Sequence, residues 1–116
     1  MGLFNTLIVE ILCPDCERRH AARIQFKFGD TWQFEYRMED AIKWGGNDIG
    51  SADLKKVKVY GIIESMICPF CSKDNIAEEY DIFIRENVII AVCPIENMKD
   101  YLDGNGEYVP LSQECQ

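Results

Sequence analysis

Four of the six cysteines in this chain of 116 residues fall into two pairs with two residues between: Cys13 and Cys16 in "EILCPDCERR", Cys68 and Cys71 in "SMICPFCSKD". Two thiols so spaced can close a disulfide, exchange one, or supply half of a metal shell. Two such pairs supply four sulfurs, the complement of a closed tetrahedral site, which zinc fills with bonds of about 2.3 Å and no further ligand. The start "MGLFNTLIVE" lacks the positive n-region and cleavage site of a secretion signal, so a cytoplasmic location is expected, where thiols stay reduced. Cys13, Cys16, Cys68 and Cys71 are therefore expected to hold one Zn2+.

Those thiols need elements that turn back on themselves. Around both motifs the residues alternate with period two, and helical periodicity is almost absent. "NTLIVEIL" and "ARIQFKF" flank the first motif, with Ile24, Phe26 and Phe28 on one face. "KVKVYGIIE" and "EYDIFI" flank the second. "TWQFEYR" alternates as well, which predicts Trp32, Phe34 and Tyr36 inward and a hairpin across the "GD" before it. "EYDIFI" and "VIIAV" around "REN" predict another hairpin. About six mostly antiparallel strands are expected, a mainly β fold whose two hairpin tips present thiols toward each other. Residues 38–53 read as a helical turn passing into a Gly-rich loop. The chain from about residue 97 reads as a loose end with a helical turn at "NMKDYL". With 47% hydrophobic residues and no linker composition, a single domain spanning 1–116 is expected. No apolar run is long enough to span a bilayer.

The paired Cys-Pro-x-Cys knuckles with flanking strands resemble the zinc-ribbon group over about half the chain. That resemblance implies a fold element with a structural four-cysteine zinc site more than it implies a function. Two departures stand out. Zinc knuckles often have Gly after the second Cys, where φ is positive, and this chain has Glu17 and Ser72. The 51 residues between Cys16 and Cys68 exceed a minimal ribbon, implying an inserted hairpin and loop. "FKFGDTWQFEYR" and "IKWGGNDIG" look like small bacterial proteins of unassigned function, a likeness that supplies no chemistry. "CPFC" is also similar to the redox motif of glutaredoxins, which requires a helix to start at the motif. "SKDNIAEEYDIFI" gives at best one helical turn before it alternates.

The remaining candidates are weaker. His20, the only histidine, lies within reach of a metal, but four cysteines already close a zinc shell. Cys93 follows an apolar strand and reads as a buried small hydrophobe, while Cys115 sits in the polar tail. "WGGNDIG" has glycines without the setting of a phosphate loop, and "MGLFNT" matches the loose myristoylation pattern that a first strand explains equally well. No hydrolytic constellation stands out, so a non-enzymatic binding protein is expected. Its net charge of −8 is carried wholly by residues 74–116; residues 1–73 are neutral. Such a surface repels phosphate backbones and suits docking on a basic protein, as an inhibitor or immunity protein would. Glu78, Glu79 and Asp81, with Trp44 and Asp48 of the Gly-rich loop, are the expected partner-binding residues. The alternative is a nucleic-acid-associated ribbon using Arg18, Arg19, His20 and Arg23 beside the first knuckle, with Lys55, Lys56 and Lys58.

Overall fold

The alternating segments become paired strands. The structure, a computed structural model, describes residues 4–74, 76–95, 98–102 and 106–111. Its long strands are β1 (Asn5–Leu12), β2 (Arg19–Phe26), β6 (Lys56–Ile63), β7 (Glu79–Arg85) and β8 (Val88–Pro94). Short ones are β3 (Gly29–Asp30), β4 (Glu35–Tyr36), β5 (Asp48–Ile49) and β9 (Tyr108–Pro110), and α1 (Lys99–Leu102) is one helical turn. The main sheet runs β4-β1-β2-β6-β7-β8, antiparallel throughout except that β4 lies parallel to β1. The chain is thus mainly β and antiparallel, as the sequence predicts.

Period two sets the core. Leu7, Ile24, Phe26, Val57, Val59, Tyr80, Ile82 and Ile84 alternate inward and are buried. Gly61 is the small member of that set: a Cβ there would lie 2.6 Å from Ile24 Cγ2, so β2 and β6 approach this closely only over a glycine. The "REN" hairpin forms as expected. Glu86 and Asn87 both have positive φ (50° and 67°), the twist that a two-residue turn between antiparallel strands requires.

Three local expectations fail. The hairpin across Gly29–Asp30 does not form. Those residues are β3 and pair with β5 of the Gly-rich loop, while β2 finds its second neighbour in β6. Of the three aromatics in "TWQFEYR" only Tyr36 is buried; Phe34 is half-buried and Trp32 is 58% exposed. Alternation shows which residues share a face but not which strand lies alongside, and two residues suffice for β4. Cys93, expected to be buried, is exposed on β8. In the C-terminal stretch, α1 covers "KDYL" and Tyr108–Pro110 pairs with β6 beyond the end of β2, an element without a sequence signal.

Residues 34–42 close one end of the sheet. Thr6 N–H donates to the Phe34 carbonyl, and β4 continues along β1. A few residues on, Glu39 N–H donates to Ile89, Ile89 N–H to Asp40 and Ile42 N–H to Asn87, and Ala41 bridges to Val88. This strap joins the two outer strands, β1 and β8, into a half-closed barrel. Asn5 braces it from inside: its buried amide donates to the Phe28 and Asp30 carbonyls and accepts from Phe34 N–H.

Candidate metal centre

Strand order brings the cysteines together. Cys13–Cys16 is the turn between β1 and β2, and Cys68–Cys71 lies at the tip of the β6–β7 hairpin. Because β6 pairs antiparallel with β2 through Ile24↔Ile63, the end of β6 lies beside the start of β2. Both tips therefore sit at the end of the barrel opposite the strap.

The two knuckles repeat each other bond for bond. Glu17 N–H donates to the Cys13 carbonyl and Cys13 N–H to Arg18; Ser72 N–H donates to the Cys68 carbonyl and Cys68 N–H to Lys73. The thiol of Cys13 accepts from Asp15 N–H and that of Cys68 from Phe70 N–H, both at 3.4 Å. Glu17 and Ser72 hold φ of 61° and 64°, so the turn keeps the geometry expected of glycine without it. Non-glycine residues pay for this left-handed backbone with strain of order 1–3 kcal/mol each, which the knuckle's hydrogen bonds and the cysteine cluster offset.

The four sulfurs lie within 4.8 Å of one another, with Cys13–Cys71 at 3.7 Å and Cys16–Cys68 at 3.6 Å. A regular tetrahedron of Zn–S bonds of about 2.3 Å has S···S edges of about 3.8 Å. A disulfide would need about 2.05 Å, and all four cysteines are free thiols. Cys13 and Cys68 are fully buried and their partners half-buried, so the site is closed on the core side. The residues present thus fit a four-thiolate metal ion.

Electrostatics argue the same way. Burial raises the Cys68 thiol, but the N–H groups of Cys71 and Phe70 and the neighbouring Cys16 and Cys13 outweigh it and bring it down to about 7. At Cys16 the Arg18 backbone lowers the value, while burial and the surrounding thiols carry it up to about 11. Four sulfurs this close cannot all ionise unaided, because each thiolate repels the next. A dication removes that repulsion.

The other predicted residues are placed as follows. His20 is half-buried at the start of β2, edge-on to Phe70 at 6.5 Å, and is not part of the sulfur cluster. Trp44 is half-buried, edge-on to Phe28 at 5.3 Å, with its indole N–H on Asn87. Asp48 is exposed and caps its own loop, accepting from Gly45 N–H at 2.8 Å. Glu78 is exposed, whereas Glu79 is half-buried and accepts from Tyr60 Oη at 2.7 Å. Asp81 does not belong to any surface: it is buried beneath α1 and accepts from Tyr101. Its alternation in "EYDIFI" signals an outward position, and nothing near it in sequence announces that Tyr101, twenty residues on, covers that position. Lys55, Lys56 and Arg18, Arg19 are exposed, and Arg23 is held by Glu35 and Glu64 at 3.2 and 3.3 Å.

Sequence reasoning missed Phe70. It is 53% exposed at the second knuckle, with the Arg18 guanidinium 5.2 Å from its ring centre. Its position between two cysteines, at a turn with no room to face inward, was the available signal. Compared with known proteins, the chain matches no family model, no curated protein and no solved structure.

Proposed function

We propose that the chain is a zinc-stapled, non-enzymatic protein-interaction module of the cytoplasm that docks on a basic protein partner, as an inhibitor or immunity protein does. The carrying observation for the metal is the four-sulfur cluster at two matched knuckles. Four sulfurs complete a tetrahedral shell and leave no position for substrate or water, the mark of a structural rather than a catalytic site. The role follows: zinc clips the β1–β2 hairpin to the β6–β7 hairpin. Neither knuckle meets the requirement of a glutaredoxin-like mechanism, since each stands between two strands and, among the described residues, no helix begins at either. No helix of the described residues is long and apolar enough to cross a membrane.

Charge supports the partner class. The net charge of −8 opposes phosphate backbones, and exposed Glu78 lies in the acidic portion. Protein purified without added metal should contain close to one zinc per chain, and a pull-down from native lysate should return a basic protein. Association with that protein should slow as salt rises. Neutralising Glu78 and Glu79 should reproduce the slowing at low salt, whereas neutralising Arg18, Arg19 and Arg23 should not. A second reading rests on Phe70 beside Arg18, a stacking group next to a cation of the kind that holds single-stranded nucleic acid. Binding of a labelled single-stranded oligonucleotide, lost in Phe70→Ala, would favour it over the protein partner.

A further inference from the structure

The strap closes the barrel at one end only. Toward the knuckles β1 and β8 do not pair, and between them lies a cleft of about 410 Å3 whose walls include Glu10, Leu12, Tyr80, Val92 and Pro94. Main-chain direction can be followed along both walls. Thr6 N–H points to the strap and Cys13 N–H to β2, so by alternation Glu10 and Leu12 turn their main-chain groups outward, away from β2. On β8, Ile95 N–H donates back to Glu79 of β7, so two-residue alternation leaves Val92 and Pro94 turned away from β7. Two strand edges thus border one cleft, and no described strand pairs with either edge there. Edges of this kind are sites of β-addition, in which main-chain bonds give affinity and side-chain pockets give specificity.

We infer that this cleft takes an extended segment of the partner as an added strand, with apolar residues facing the barrel and a lysine or arginine facing Glu10. The inference rests on the reading above and specifies where that partner docks. The floor is apolar, formed by Ile11, Ile76, Tyr80 and Val92, which selects the inward-facing residues of the segment. Among the described residues lining the cleft Glu10 is the single charged one, and it is exposed. Glu78 directly follows the lining residue Ala77 and is exposed too, so the charge at this mouth is negative. Pro94 has no N–H and offers only a carbonyl, so the segment must donate there.

The test uses the metal-loaded full chain and a synthetic peptide of alternating valine and lysine. Titration should shift and protect from exchange the amides of Glu10, Leu12 and Val92, and should shield Cys93, which also lines the cleft and is exposed, from alkylation. Replacing lysine by glutamate in the peptide, or Glu10→Lys in the protein, should weaken binding about tenfold at low salt. N-methylating the peptide backbone should abolish it, which a purely ionic contact would not show. Peptide binding that leaves those amides and Cys93 unchanged overturns the cleft while the basic-partner reading survives. A native partner whose association is indifferent to salt overturns that reading whether or not the cleft is occupied. Dimerisation of the chain through these amides, or a change in them on deleting residues 112–116 alone, identifies a different occupant and likewise overturns the inference.

Discussion

Replacing Cys68 by Ser tests the metal centre most directly. Cys68 is fully buried, its sulfur lies 3.6 Å from that of Cys16, and it accepts the Phe70 N–H. Serine preserves the size of the side chain but supplies a weak oxygen ligand on a shorter bond, so the tetrahedral shell is lost. The structural loss is a cross-link. With Cys16 and Cys68 joined through one ion, 51 intervening residues form a closed loop in the unfolded chain. By analogy with a disulfide closing a loop of that length, the link is worth about 4 kcal/mol. In a domain of this size each kcal/mol moves the melting midpoint by roughly 4 °C, so the variant should melt about 15 °C lower. Circular dichroism melts with and without a chelator, beside zinc content by mass spectrometry, give both readouts. Wild type with chelator should approach the variant, and the variant should not respond to chelator. Cys93→Ser, on the exposed side of β8, should keep its zinc and its midpoint. A wild-type protein that holds no metal, or whose midpoint ignores chelator, would mean that the four sulfurs hold no structural ion.

Trp44→Ala should cost about 2–3 kcal/mol, below the range for a fully buried aromatic because Trp44 is only half-buried, and partner affinity should change little; a large affinity loss at unchanged stability would make the Gly-rich loop a recognition surface instead. Gly61→Ala should cost about 1–3 kcal/mol in a urea titration, since its Cβ would meet Ile24 Cγ2 at 2.6 Å, and a neutral result would mean that β2 and β6 can separate freely. Burial first, and then the bond to Glu79, push the Tyr60 hydroxyl up to about 12, and burial raises Tyr36 and Tyr80 in the same direction. The unfolded chain ionises first, so stability present below pH 10, the ordinary tyrosine value, should fall as pH rises through about 12; tyrosinate absorbance that appears at the ordinary pH in folded protein would contradict this.

What could be read from the sequence was chemistry fixed by local spacing. Two Cys-Pro-x-Cys turns between alternating segments led to the sulfur cluster because each knuckle is closed by its own neighbours, Cys13 with Arg18 and Cys68 with Lys73. The "REN" hairpin was legible for the same reason. What escaped depends on distant partners. Trp32 alternates with Tyr36 yet points to water, because β4 is two residues long and lies on β1 rather than on β2. Asp81 was assigned to a surface that Tyr101 covers, and Cys93 to a core that takes Ile89 and Val92 from the same strand but leaves Cys93 exposed. The cleft combines both difficulties, since an unpaired edge exists only once every other pairing has been made.

The strap also sets an order of events during synthesis. Residues 34–36 can lie along β1 as soon as they emerge, but residues 39–42 must wait for Asn87, Val88 and Ile89. That is about 50 residues later, roughly 3–10 s at ribosomal speed. Over the same interval the first knuckle has two sulfurs of its four, and Tyr36 and Phe26 lack the strands that bury them. The nascent chain therefore carries an open sheet with an uncovered apolar face until its last third arrives, a window in which a holding chaperone or an early metal ion would matter more than at any later time.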